Sequence, residues 1–259
     1  MSVSYADKPA SRSQELHLRQ SRCIRRLKVV RGSSPLLPFS DPEAVAHYVD
    51  GPVRQVPGFY GLQQMTRLLL AERIQDDAHV LVLGAGGGLE LKAFAETEAG
   101  WRFCGVDPSV EMLGLAKRTL GPLASRVDFY EGTIDSAPFG PFDGATCLLT
   151  LHFLAENERR RTLSEVHRRL KLGAPFVVAH HSFPQDVEEK AKWLARYAAF
   201  AVASGVPIAN AERAIAAISE RLPTLSPEQD EALLREAGFA DVALFYTAFT
   251  FRGWVAYKA

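Results

Sequence analysis

The 259-residue sequence predicts an α/β fold: a seven-stranded, mostly parallel sheet with an antiparallel C-terminal strand, helices on both faces and a small helical insertion after strand five. Three observations predict it. Short apolar runs alternate with helical patterns from His79 to His180, the order of βαβ units feeding a parallel sheet. The first run closes on a glycine cluster, as a strand does when the chain turns sharply into a helix. The last two strand-like runs are too close in sequence for a crossover, so they must pair antiparallel.

The elements follow in order. Phe59 to Ile74 reads as a helix, with Leu62, Met65, Leu69 and Ile74 near one face. His79–Leu83 is a short continuous apolar run, the mark of a strand buried on both sides. Helix Leu89–Ala99, strand Trp101–Val106, helix Ser109–Leu120, strand Arg126–Tyr130 and strand Gly144–Leu149 come next. Glu156–Leu170 is a helix whose arginines, Arg159, Arg160, Arg161, Arg168 and Arg169, read as a solvated face, or as a phosphate track if the partner is RNA. Ala174–His180 is the fifth strand. Two helices then follow without a strand between them, Val187–Ser204 and Ala211–Arg221, and read as an insertion of about 184–222 over the C-terminal edge of the sheet. Helix Pro227–Ala237 and strands Val242–Tyr246 and Thr250–Tyr257 complete the chain. The turn-rich stretch Gly51-Pro52 to Pro57-Gly58 precedes all of these, after a short helix capped by Asp41 and running to Val49.

Bulk composition narrows the class of function. Hydrophobic residues make up 47% and charged residues 23%, an ordinary globular balance. Thirty basic residues offset 30 acidic ones, so nothing global points to a polyanionic partner. Cys23, Cys104 and Cys147 lack metal-ligand spacing, and so sparse a count fits a reducing, cytoplasmic setting with no metal centre. No run is long enough for a membrane span, and Met1–Ser34 lacks the apolar core of a signal peptide. That segment is basic, and residues 1–38 read as a flexible extension of a domain spanning 39–259; a nucleic-acid arm and a targeting segment stay open.

The chemistry is carried by Val80-Leu81-Val82-Leu83-Gly84-Ala85-Gly86-Gly87-Gly88. Its glycines at 84, 86 and 88 space as G-x-G-x-G, and Leu89 stands where a dinucleotide fingerprint wants its last glycine. About twenty residues on, Asp107 ends the second strand, where an acid can accept both hydroxyls of a ribose. Asp107-Pro108-Ser109 with Met112, then Thr133-Ile134-Asp135 after the third strand, then Leu149-Thr150-Leu151-His152 after the fourth, complete a series.

From about Asp41 to Ala259 this series resembles the class I S-adenosylmethionine-dependent methyltransferases, with their Rossmann-like sheet. The resemblance implies S-adenosyl-L-methionine as cofactor. It places Gly84, Ala85, Gly86 and Gly88 at the methionine and ribose, Asp107 on the ribose, Pro108 and Met112 beside the adenine, and Thr133, Ile134 or Asp135 on the adenine edge. Leu149 would lie beside the transferable methyl, and Tyr60 over the cofactor. His152 is the candidate base; Arg54, His180, His181, Trp193, Tyr197 and Arg213 are candidates for the substrate side. Arg54-Gln55-Val56-Pro57-Gly58-Phe59-Tyr60, Ala203-Ser204-Gly205 and the C-terminal Val255-Ala256-Tyr257-Lys258-Ala259 are similar to the bacterial tRNA uridine carboxymethyltransferases, which use a carboxylated cofactor. After Gly205, however, no arginine falls cleanly where an extra carboxylate would need one. The preferred reading is thus methyl transfer to a small-molecule substrate; a tRNA-modifying methyl- or carboxymethyltransferase is the alternative, a non-catalytic cofactor-binding protein a third reading, and a homodimer is left open.

Overall fold

The computed structural model describes residues 51–259. The basic N-terminal segment, Cys23 and the helix expected from Asp41 to Val49 lie outside them. In chain order the elements are α1 (Gly51–Gln55), α2 (Phe59–Ala71), β1 (His79–Leu83), α3 (Leu89–Thr97), β2 (Arg102–Asp107), α4 (Val110–Leu120) and β3 (Val127–Glu131). Then come β4 (Gly144–Leu148), α5 (Glu156–Arg169), β5 (Pro175–His181), α6 (Val187–Ala203), α7 (Ile208–Arg221), α8 (Pro227–Glu236), β6 (Phe239–Ala248) and β7 (Phe251–Lys258).

The seven strands form one sheet in the order β3-β2-β1-β4-β5-β7-β6. The first five pair in parallel, while β7 runs antiparallel to both β5 and β6. The chain leaves β1 in one direction to build β2 and β3, then returns to place β4 on the other side. A crevice opens above the carboxyl ends of β1 and β4 at such a switch point. The two faces of β1 feed two separate core clusters: Leu81 and Leu83 pack with Phe142, Phe176 and Trp254, whereas Val80 and Val82 pack with Phe94, Trp101 and Phe103. Period-two alternation therefore operates even though every side chain of the run is apolar.

Three elements differ from the sequence expectation, each for a local reason. Gly51–Gln55 is a short helix and not a turn, and the Val56 N–H continues its pattern by donating to the Pro52 carbonyl at 2.8 Å. The helix expected at Ala211 begins at Ile208, directly after Pro207 at its N-cap. Strand β6 is longer than Val242–Tyr246. Its register on β7 shifts between Ala240 and Ala243 and again between Leu244 and Tyr246, with Asp241 at φ 49°, so its alternation is broken into pieces that conceal its length.

The arginines of α5 do not form one solvated face. Arg159 is 0% exposed and Arg169 2%. The Arg159 guanidinium pairs with Asp230 of α8 and donates to the Pro223 carbonyl at 2.9 Å. His180 Nε2 of β5 lies 3.1 Å from the other Asp230 oxygen. Burial raises the Asp230 carboxyl, but His180 and Arg159 outweigh it and hold the group below its ordinary range. Arg169 instead pairs with Glu165 one turn back, at 2.5 Å. The first cluster thus ties α5, α8 and β5 together beneath the sheet.

Helices α6 and α7 pack through Leu194, Tyr197 and Ile218 onto Phe59 and Leu62 of α2 and onto Leu148 and Ala179, at or near the ends of β4 and β5. Asp186 caps α6 by accepting from the Glu189 N–H at 2.9 Å. Among the described residues no helix is long and apolar enough to cross a membrane.

The buried triad gives a test. Asp230→Ala leaves Arg159 without its counter-charge and should cost about 3–5 kcal/mol in urea denaturation. Replacing Arg159 and Asp230 together by Met and Leu should recover most of that loss, because no unpaired charge then remains.

Candidate functional site

The glycine turn after β1 is shaped by close approach. Gly84 has φ 77°, and a Cβ there would lie 2.0 Å from Thr150 Oγ1. Gly88 has φ 79°, and a Cβ would lie 2.8 Å from Ala116 Cα, where α3 crosses α4. Neither position accepts a side chain. The Gly84 and Ala85 N–H groups both donate to the Val106 carbonyl, at 2.8 and 2.9 Å, which fastens the turn to β2.

That fastening brings Asp107 beside the turn. Its Oδ2 accepts from the Gly86 N–H and its Oδ1 from the Ser109 N–H, each at 2.9 Å. The carboxyl is 8% exposed. Burial raises its pKa, and the two amides hold it partly down. Ser109 caps α4 by accepting from the Met112 N–H at 3.1 Å. The carboxylate is oriented by the backbone of both neighbouring turns and keeps lone pairs for a ligand.

These groups line a cavity of about 280 Å³ at the switch point. Gly84, Ala85, Gly86, Asp107, Pro108, Met112, Thr133, Ile134 and Leu149, all singled out in the sequence, form part of its wall. Leu149 holds φ 57°, a conformation a branched side chain rarely adopts, at the very end of β4. Other expected residues lie outside the lining. Gly88 is taken up by the helix crossing. Asp135 turns away to Arg161, whose Nη1 donates to both carboxylate oxygens, at 2.7 and 2.8 Å, which lowers its pKa. Tyr60 is 68% exposed, because the buried face of α2 runs through Phe59, Leu62, Gln63, Thr66 and Leu70 and leaves the next position pointing to solvent.

The histidines do not line the cavity either. His152 and His181 pack ring to ring with centroids 4.8 Å apart, and His181 stacks on Phe251 at 4.1 Å. His181 Nδ1 is 2.9 Å from Thr250 Oγ1. Burial, then the neighbouring histidines, push His152 well below its ordinary value and His181 down to about 3, so both rings are neutral near pH 7. His180 points to the opposite face of the sheet, into the Arg159–Asp230 pair. Tyr197 is core, its hydroxyl donating to Gln55 Oε1 at 3.2 Å. Trp193 is held between Arg196 and Arg252, 4.5 and 5.4 Å from its ring. Arg54 and Arg213 are exposed, and Arg213 donates to Asn210 Oδ1 on its own helix at 2.5 Å. Among the described residues no cluster of three or more His, Cys, Asp or Glu is arranged to hold a metal.

The lining also holds Phe59, expected with Tyr60 as part of a cover, Arg161 of the arginine-rich helix, and residues that sequence reasoning assigned no site role: Leu62 and Gln63 of α2, Glu90 of α3, and Glu158 and Thr162 of α5. Glu90 Oε1 accepts from Thr146 Oγ1 at 2.6 Å. Burial pushes its carboxyl up to about 8. Only its place two residues after Gly88, at the start of a helix, could have flagged it.

Two outcomes follow. Gly88→Ala should destabilise the chain by roughly 2 kcal/mol in thermal denaturation, from the helix crossing and the left-handed backbone together. Glu90 is raised from 4.5, so the unfolded chain ionises first as pH climbs and the native state loses stability between that value and about 8. Glu90→Gln should therefore match the parent near pH 4 and exceed it at pH 9 by on the order of 3 kcal/mol, in paired urea titrations without ligand.

With the geometry in hand, comparison with known proteins is informative. Residues 80–173 match the family model described as a methyltransferase domain. The carboxy-S-adenosyl-L-methionine synthase of Chromohalobacter salexigens is 28% identical over 222 residues, covering 84% of this chain and 82% of its own. Its namesake from Campylobacter lari is 22% identical over 218 residues, covering 84% and 93%. Among solved structures, human N-acetylserotonin methyltransferase in complex with SAM superposes with a TM-score of 0.61 at 16% identity, over 96% of this chain and 68% of that one. An O-methyltransferase family protein from Burkholderia thailandensis does so at 0.61 and 16%, over 95% and 70%. At these identities the solved structures share the fold. Over residues 80–173 the chain matches the methyltransferase-domain model, and over most of its length it shares the fold of these solved methyltransferase structures.

Proposed function

We propose that the protein transfers a methyl group from S-adenosyl-L-methionine to a small-molecule acceptor at the cavity between the β1 and β4 ends. The observation that carries this reading is the pairing of the glycine turn with Asp107 through the Gly86 N–H. That pairing presents backbone amides and an oriented carboxylate in one wall. In this reading Asp107 accepts the ribose hydroxyls, and Pro108, Met112 and Ile134 enclose the adenine, with Thr133 at its edge. Leu149, Thr150 and Phe59 flank the reacting end and keep water from it.

The bound cofactor supplies a methyl already activated on a sulfonium sulfur. What the chain contributes is alignment and a dry, polar-walled cavity. No imidazole lies in the described lining, so the reading assigns no histidine base, and the acceptor is one that attacks without it. The setting that goes with this reading is cytoplasmic, where the buried free thiols of Cys104 and Cys147 persist.

The names of the curated relatives favour a second reading, in which the site handles a carboxylated form of the same cofactor. Against it, Arg161 is the one cation among the described lining residues, and Asp135 and Glu158 already engage it. An added carboxylate would require a cation of its own.

Calorimetric titration separates the readings. S-adenosylmethionine and S-adenosylhomocysteine should bind, the carboxylated form more weakly. Asp107→Ala, folded by circular dichroism, should weaken both of the first two roughly a hundredfold. Tighter binding of the carboxylated form would favour the second reading. No binding of any of the three by the folded protein would refute both.

A further inference from the structure

Among the described lining residues, Glu90 is the one charged side chain whose presence the proposed chemistry leaves unexplained. It is the second residue of α3, directly after the glycine turn, and it is 8% exposed. Thr146 of β4 holds its Oε1 at 2.6 Å. Among the described residues no charged group offsets it: burial raises its carboxyl, and the Thr146 hydroxyl lowers it by less. The groups around it are accounted for. Gln63 of α2 lines the same cavity and is neutral. Cys147 on β4 is kept protonated by burial and by Glu90 itself. Asp107 is engaged by two amides, and Glu158 and Arg161 pair with each other.

A carboxyl kept in an apolar wall without a cation is a cost to the empty protein. The cost is repaid when a ligand brings positive charge to it. The methionine end of S-adenosylmethionine carries two cationic centres, the ammonium and the sulfonium.

We propose that Glu90 is the counter-ion for the cationic methionine end of the bound cofactor and so sets the charge selectivity of the cavity. The inference rests on the S-adenosylmethionine reading and extends it to a residue that reading does not use. Its chemistry is a proton balance. In the empty site near pH 7 the carboxyl is mostly protonated. A cation placed beside it favours the ionised form, and the proton leaves for solvent.

The test is calorimetric titration at pH 7.0 in phosphate and in Tris, whose different ionisation heats count the protons exchanged. For the parent protein, binding of S-adenosylmethionine should release roughly one proton per site. Glu90→Gln should abolish that release and weaken binding on the order of tenfold. S-adenosylhomocysteine, which keeps the ammonium and lacks the sulfonium, separates the two sources: equal release with both ligands assigns the ammonium, release with S-adenosylmethionine alone assigns the sulfonium. Binding without proton release by the parent, or a release unchanged in Glu90→Gln, overturns the inference and leaves the methyltransferase reading standing. No binding heat from either ligand overturns the reading and the inference together. The parent measurement in two buffers decides the matter even if the variant does not fold.

Discussion

One carbonyl, that of Val106, accepts both the Gly84 and the Ala85 N–H, and the rest of the site is arranged around that pair of hydrogen bonds. It draws the turn after β1 down onto the end of β2, so that the next residue, Asp107, meets the Gly86 amide. It also fixes the start of α3, which delivers Glu90 to the cavity floor. The glycines are the price of this closeness: Gly84 leaves no room before Thr150, and Gly88 none before Ala116. A switch-point crevice is a property of the sheet order, but its depth here is set by how tightly that one turn is fastened.

Much of the fold was legible in the sequence because its signals are local. The run His79–Leu83 has the length and apolarity of a central strand, and glycines end it. The spacing from Gly84 to Asp107 spans one helix and one strand, so the acid could be placed at a strand end without any coordinates. What the sequence hid is rotational. Phe59 and Tyr60 are adjacent aromatics, and only the packing of α2 decides that the first faces the cavity and the second the solvent. The arginines of α5 look alike in sequence, yet Arg159 is buried because Asp230, 71 residues away, waits for it. No pattern in α5 announces a partner in α8.

The histidines show the same limit from the other side. His180 and His181 had to face opposite ways by strand geometry, and they do. Which way each faces, and that His181 would stack on Phe251 beside His152, follows from the antiparallel strand β7 laid against β5. Enclosed by burial and by rings, His152 and His181 give up their charge near neutrality and serve packing, while His180 lies against the buried Arg159–Asp230 pair.

The walls of the cavity and its cover come from different stretches of the chain. Every described lining residue of the cavity lies between Phe59 and Thr162, and none belongs to α6 or α7. The helical pair rests on the strand ends through its own apolar contacts, joined by Asp186 at one end and Leu222 at the other. Residues 187–221 thereby bear on the cavity at second hand: they supply none of its described lining, yet the packing of Leu194, Tyr197 and Ile218 against Phe59, Leu62 and Leu148 steadies the wall from outside.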